Sequence, residues 1–319
     1  MRKIDRRIIL TALGASAVGA CTAPFEIGEG KKQPKGGIGG TGIVGVLTDF
    51  GSVIVNGLRV ALNDETETTD AFGAVAPDRL SIGQSLTIEA ASIDDGLVAS
   101  RIHITHAVIG RVTPSSAPDG SATVNGITVV PEPGMIGDLR GGARVAVSGV
   151  WRGATVIASR VDELPLGGSS VLSGSVTRAP DGTGVAIGDR RILTESSFLP
   201  APGSFATVIG DERRDGLRPD RIVAGRFTGA AGPLQSLSVE GYLDPIEKAP
   251  FFTLSGLGHS FDRDAKLAEF RMRRAIYSGS YDGDFRVQTG VPLPETLPER
   301  RAMLKDLLNG DAQTTLPVR

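Results

Sequence analysis

Two amino acids that carry much of enzyme chemistry are almost missing: the chain has one cysteine, Cys21, and three histidines. No serine stands in the G-x-S-x-G setting of a hydrolase nucleophile, so covalent catalysis has no candidate group. His103 and His106 have an odd separation, which on a strand points two side chains to opposite faces, and His259 lies far along the chain. Asp262 and Asp264 begin like a calcium loop, but Leu267 stands where that loop needs glycine and its twelfth position holds no glutamate. Carboxylate pairs such as Asp94-Asp95, before Gly96, have the setting of turns. The expectation is therefore a protein that is not an enzyme, with no metal site and no cofactor. Gly37-Ile38-Gly39-Gly40-Thr41-Gly42 matches the dinucleotide pattern G-x-G-x-x-G, but that pattern works only between a strand and a helix N-terminus. Here a loop-like segment precedes it and an apolar strand pattern follows.

A basic excess is also lacking. Residues 1–20 hold four basic and one acidic residue of the chain's 34 and 36, so the remainder carries a net charge of −5. Binding to a phosphate backbone relies on basic patches, and nucleic acid is not expected as a partner. The N-terminal apolar stretch, Ile8 to Ala20, is thirteen residues long, against roughly 20 for a helix that crosses a bilayer. Behind the basic Arg2-Lys3 and Arg6-Arg7 it reads as an export signal, residues 1–20. Val18-Gly19-Ala20-Cys21 resembles a lipobox, in which the cysteine thiol receives a diacylglyceryl group and becomes the new N-terminus. Cys21 is accordingly the expected lipidation site and the membrane the expected first partner. Arg6-Arg7-Ile8-Ile9-Leu10 partly resembles a twin-arginine signal, with ordinary secretion as the alternative. Thr22, where an aspartate would resemble an inner-membrane retention signal, favours the outer membrane of a two-membrane cell.

What is abundant is turn chemistry: 43 glycines and 19 prolines with 5% aromatic residues predict many short strands rather than long helices. Residues 21–41 read as a lipidated N-terminus and tether. Beyond them an alternating apolar run, broken by a two-residue turn, returns three times. Val53-Ile54-Val55-Asn56-Gly57-Leu58-Arg59-Val60 is followed by Ala122-Thr123-Val124-Asn125-Gly126-Ile127-Thr128-Val129. Val185-Ala186-Ile187-Gly188-Asp189-Arg190-Arg191-Ile192 comes next, then more loosely Phe252 to His259. Asn-Gly and Gly-Asp pairs of this kind are hairpin signals, and they place Gly57, Gly126 and Asp189 at positive φ. A second run recurs as Leu86 to Glu89, Val145 to Gly149, Ala206 to Gly210 and Ala275 to Gly279, and a closing strand carries Arg101, Arg160 and Arg221. The period is that of a small domain.

These elements predict an all-β tandem array of five-stranded OB-like Greek-key barrel modules, with a plain five-stranded meander as the alternative. The units are 42–106, 107–166, 167–235 and a divergent 236–292, in which Asp262 to Arg273 can form a helix. A short C-terminal helix within 293–319 starts near Pro298. A lesion in one unit, such as Gly126→Val, is expected to act chiefly on that unit. Trp151 and Tyr281 hold the same position in the second and fourth units. They are the candidate ligand contacts, because exposed aromatics on such barrels stack on sugars or bases, with strand-end aromatics that cover the barrel mouth as the alternative.

The residues of the first unit carry a specific likeness. Gly36 to Gly42, Phe50-Gly51-Ser52-Val53-Ile54-Val55-Asn56-Gly57, Ile82-Gly83-Gln84, Asp95-Gly96 and Ser100-Arg101-Ile102 together resemble the bacterial repeat family named domain of unknown function 5666. The likeness is strongest over residues 37–112, looser to about 225 and weak in the last unit. It implies an exported bacterial protein and transfers no catalytic or binding residue. The expected role is a non-enzymatic cell-envelope lipoprotein whose modules bind a polysaccharide or an envelope protein, with a ligand-free structural spacer as the alternative.

Overall fold

The computed structural model describes residues 39–50, 52–93, 96–194, 200–245, 252–255, 257, 259–261, 270 and 272–309. Unit one contains β1 (Gly40–Asp49), β2 (Val53–Val55), β3 (Leu58–Ala61), β4 (Glu67–Asp70), β5 (Gly73–Ala74), β6 (Ser85–Ile93) and β7 (Gly96–Ile104). Unit two contains β8 (Val108–Pro114), β9 (Ala122–Val124), β10 (Ile127–Ile136), β11 (Arg144–Arg152) and β12 (Thr155–Leu164). Unit three follows with β13 (Ser170–Arg178), β14 (Val185–Ile187), β15 (Arg190–Arg191), β16 (Phe205–Arg213) and β17 (Gly216–Ala224). Unit four has β18 (Leu234–Pro245), β19 (Phe252–Leu254), β20 (His259–Phe261), β21 (Arg274–Tyr281) and β22 (Phe285–Pro292), and α1 (Leu297–Asn309) closes the described chain.

Strand order decides between the two architectures that the sequence leaves open. A meander would pair strands in sequence order. In unit one the ladder instead runs β1-β2-β3-β7-β6 and back to β1, with β3 and β7 parallel. Unit two repeats it as β8-β9-β10-β12-β11-β8, with β10 and β12 parallel. These are two closed five-stranded Greek-key barrels of the OB type. Unit three has the same path, and a parallel bridge between Ile192 and Leu217 brings its third strand to its fifth. Unit four shows the ladder β20-β19-β18-β21-β22. In unit one the long gap is filled by the β4-β5 hairpin and a 3₁₀ turn, Pro77–Arg79; the helix expected in unit four falls mostly outside the described residues.

Local chemistry explains the repeats. Asn56 and Gly57 have φ of 56° and 73°, and Asn125 and Gly126 have 46° and 76°, the paired positive values of a type I′ hairpin turn. In unit three the positive φ falls on Gly188, at 57°, and not on Asp189. That sign pattern is the II′ turn, in which glycine takes the first central position. The recurring glycine of the fourth barrel strand sits at a β-bulge: the register slips at Ser148/Gly149, Ile209/Gly210 and Ser278/Gly279. A Cβ there would stand 2.3 Å, 2.0 Å and 1.9 Å from the carbonyl oxygens of Ile157, Arg218 and Arg286. At these three bulges glycine lets the strands approach that closely, whereas unit one carries Ala90 at its own bulge.

The units are fused rather than strung out. β1 extends into unit four by pairing in parallel with β18, and β8 pairs antiparallel with β13 of unit three. One apolar core runs through units two and three, from Val108 and Trp151 to Leu172 and Leu217. A smaller cluster joins Val46, Val150, Tyr242 and Leu297, drawn from units one, two and four and from α1. Shared clusters of this kind favour lesions that spread beyond one unit. A Cβ on Gly126 would meet Arg190 of unit three at 2.9 Å, so even the hairpin turn of unit two touches its neighbour.

The helix α1 begins where the proline and threonine direct it. The Glu299 amide donates to Thr296 Oγ1 at 3.3 Å, and the threonine hydroxyl donates to the Glu299 carboxylate at 2.8 Å. That is a capping arrangement for the otherwise unpaired first turn.

Candidate functional site

The two aromatic candidates do not form a shared platform. Trp151, at the end of β11, is only 5% exposed. Its indole Nε1–H donates to the Ser173 carbonyl at 2.9 Å, and its ring packs over Gly174 and Gly188 of unit three. Unit three thus covers most of the ring, and the part left open lines the cleft described below. Tyr281 is half-buried and lies against the core of unit four, 6.5 Å from the Phe227 ring. Cys21, the export signal, Asp94-Asp95, Asp262 and Asp264 lie outside the described residues.

His103 and His106 do face different surroundings, but only His103 is on a strand. Its Nδ1 shares a 2.9 Å hydrogen bond with Thr69 Oγ1. Burial, followed by the charge of Arg101, lowers its pKa to about 3, so the ring is neutral at neutral pH. His106 follows β7 and is buried, and burial also lowers its pKa. His259 begins β20. Among the described residues no three His, Cys, Asp or Glu side chains gather as metal ligands would. Gly40, Thr41 and Gly42 lie inside β1, so the glycine pattern opens a strand. A Cβ on Gly42 would stand 2.6 Å from Leu237, and one on Gly45 would stand 2.1 Å from Asn56. These glycines make room for packing and leave no phosphate cradle.

Two buried ionic assemblies escaped the sequence reading, and both hold units together. In the first, Glu132 of β10, Glu240 of β18, Arg274 of β21 and Arg300 of α1 meet in the interior. Arg274 bonds the Glu132 carboxylate, and its Nε donates to Glu240 Oε1 at 2.7 Å. Arg300 donates to Glu132 Oε1 at 2.6 Å and approaches Glu240 at 3.3 Å. Glu240 also accepts the Val46 amide of unit one at 2.7 Å. Burial raises the Glu240 carboxyl, but the two guanidiniums and that amide outweigh it and hold the group below its usual range. Glu132 lacks the amide, and burial leaves it raised despite the same arginines. In the second assembly Glu89 of β6, with no exposed surface, accepts four hydrogen bonds at 2.7–2.9 Å. They come from the Thr228 amide and hydroxyl and from the amides of Gly229 and Ala230. The link between units three and four is thereby fixed to unit one.

A cleft of about 440 Å³ with both apolar and polar walls lies where units two, three and four meet. Its walls come from a barrel end: Trp151 and Gly153-Ala154 of unit two, Thr177, Arg178, Pro180 and the Gly188-Asp189 turn of unit three, and Asp244 with Thr253 of unit four. Asp244 is already held by the Gly153 amide at 3.0 Å and by the Ser255 hydroxyl. Arg178 and Asp189 are exposed and stand at the rim as one charge of each sign. The volume falls in the range of small-molecule sites, which combine apolar walls with a few directed polar groups.

Fold and site together define an all-β protein of fused OB-type barrels with a cleft at the junction of three of them. Residues 41–103, spanning unit one from its first strand to its last, match the family described as Domain of unknown function (DUF5666). The resemblance read from the sequence holds there. No curated protein matches the chain, and no solved structure does.

Proposed function

We propose that the chain is a non-enzymatic cell-envelope protein, exported and held at a membrane through lipid on Cys21, whose fused barrels bind a polysaccharide in the three-unit cleft. The observation that carries the binding part is the cleft itself. Barrel-end loops are where OB-type folds take oligosaccharides and oligonucleotides, and the negative net charge favours the sugar polymer over the nucleic acid. Pro180 and Pro202 offer exposed apolar surface to the C–H face of a sugar ring, and Ser175, Thr177 and Arg178 offer hydrogen bonds to its hydroxyls. The non-enzymatic part is supported by the state of the buried carboxylates: Glu89, Glu132 and Glu240 are each tied to fixed donors between units.

Affinity electrophoresis of the full-length protein in gels containing envelope polysaccharide tests this reading. The expected result is retention that the surface variant Arg178→Ala/Asp189→Ala weakens by about tenfold, a loss of about 1.4 kcal/mol. Undiminished retention by the variant would move the site elsewhere. A second reading, a rigid spacer without ligand, draws support from the sheets shared between units, and no retention on any envelope polysaccharide would favour it.

The anchor has its own test. Cys21→Ser is expected to abolish lipid labelling and release the protein from membranes, because the chain has no second cysteine to acylate. Density fractionation of the unaltered protein is expected to place it with outer membranes. A variant that stays wholly membrane-bound would require a different anchor.

A further inference from the structure

A second cavity, of about 200 Å³, lies between units one and three, and three arginines reach it beside Asp70 and apolar side chains such as Phe205 and Ile209. Arg101 reaches it from β7, Arg221 from β17 and Arg226 from the segment after β17, with His103 and Thr207 beside them. Three guanidiniums from separate places in the fold meet here in a chain whose net charge is negative.

The interior assembly of Glu132, Glu240, Arg274 and Arg300 shows what purely structural arginines look like in this molecule: two cations face two carboxylates with no exposed side-chain surface to speak of. The second cavity is arranged differently. Its nearby carboxylates, Asp70 and Glu89, are engaged by the backbone. Asp70 Oδ1 accepts the amides of Phe72 and Gly73 at 2.7 Å and 3.1 Å. Glu89 takes its four short bonds from residues 228–230 and leaves Arg101 a contact of 3.5 Å. The second Arg101 bond, at 3.3 Å, goes to the Thr69 hydroxyl. Arg221 donates to the Ala71 carbonyl and makes no ion pair among the described residues. Arg226 donates to the Thr87 hydroxyl at 3.0 Å and lies 3.8 Å over the Phe205 ring.

A guanidinium offers five donors in a planar fork that matches an oxyanion. The named bonds of Arg101 and Arg221 engage a minority of them. Burial lowers the Arg226 pKa to about 9, which leaves it cationic at neutral pH in a poorly hydrated place. The neighbouring His103 is held neutral and adds no charge; where the Thr69 hydroxyl donates to Nδ1, its Nε2–H is the donor left for a ligand. The space far exceeds the roughly 30 Å³ of one water molecule and suits a tetrahedral or planar anion with part of its hydration.

We propose that this cavity is an oxyanion-binding site formed by Arg101, Arg221, Arg226 and His103, taking a phosphoryl or carboxylate group of a small ligand or of a polymer side group. It stands independently of the polysaccharide cleft, with which it shares no lining residue.

The test is titration of the full-length protein, at low ionic strength, with inorganic phosphate and separately with glucuronate. Heat is followed by calorimetry and the His103 ring by ¹⁵N-edited NMR. Saturable binding of at least one anion is expected, with the His103 resonances moving along the same isotherm. The tighter of the two identifies the source as phosphoryl or carboxylate. Arg221→Gln is expected to weaken binding by about tenfold or more, and Arg221→Lys, which keeps the charge and loses the fork, by less. Arg218→Gln, an exposed residue of the same strand paired with Asp211 at 2.6 Å, is expected to leave it unchanged. Absence of saturable binding by both anions, or equal weakening by Arg218→Gln and Arg221→Gln, would overturn the proposal. So would unchanged binding in Arg221→Gln. Arg221 is exposed, so its removal does not hollow the core, and Arg221→Lys provides the folded comparison.

Discussion

Replacing Arg274 with methionine is expected to destabilise the chain by about 3–5 kcal/mol, because it leaves an uncompensated buried charge. Glu132 and Glu240 would then share the single guanidinium of Arg300, with water still excluded from both. The four residues come from units two and four and from α1, and the Val46 amide adds unit one. The loss is therefore expected to spread beyond unit four. Urea unfolding followed by far-UV circular dichroism checks the size. The double variant Arg274→Met/Glu240→Gln, which removes one charge of each sign, should recover part of the loss, since matched removal of buried ions is cheaper than breaking a pair. A cost below about 1 kcal/mol for Arg274→Met, the figure typical of exposed pairs, would mean that water reaches the cluster.

The sequence carried the design of one unit well and the contacts between units poorly, and the reason is physical. Hairpin turns are local: Asn56-Gly57 and Asn125-Gly126 take the positive φ that their residue types require, and the glycine beside Asp189 takes it in the third unit. The Thr296-Leu297-Pro298-Glu299 start of α1 is local too, and so is the periodic glycine, although only the ladder shows that it marks a bulge. Glu89, Glu240 and Arg274 mislead because they alternate with core residues along their strands. Ile88 and Ala90 point into barrel one, and Val239, Ala275 and Tyr277 point into barrel four. A charge in between reads as solvent-facing under the period of two. Here another unit covers that outer face, and the partners lie as far as 142 and 194 residues away. No local pattern records contacts at that distance. Arg101 and Arg221 were visible as repeated positions, but their meeting in one cavity follows from how units one and three pack.

The last expectation concerns Trp151, whose position in the repeat suggested a ligand platform and whose surroundings make it a wedge. Trp151→Ala is expected to cost about 3–5 kcal/mol, the range for truncating a large buried aromatic. The change empties a space lined by Gly174 and Gly188 and leaves the Ser173 carbonyl without its donor. Trp151→Phe keeps much of the volume and loses the hydrogen bond, so a loss of about 1–2 kcal/mol is expected. The core around the ring is continuous from Val124, Val147 and Val156 of unit two to Leu172, Val176 and Ile187 of unit three. Damage should therefore appear in both units. Limited proteolysis of Trp151→Ala, read by mass spectrometry, is expected to cut within 108–164 and within 170–224 at similar rates. Cutting confined to 108–164 would show that unit three stands without unit two. In the unaltered protein this residue is the single tryptophan, so its emission reports on that junction directly. Its shift to longer wavelength in urea should coincide with the loss of β-sheet ellipticity, as a single cooperative transition requires. An emission change that runs ahead of the circular dichroism would place the weakest joint of the molecule between units two and three.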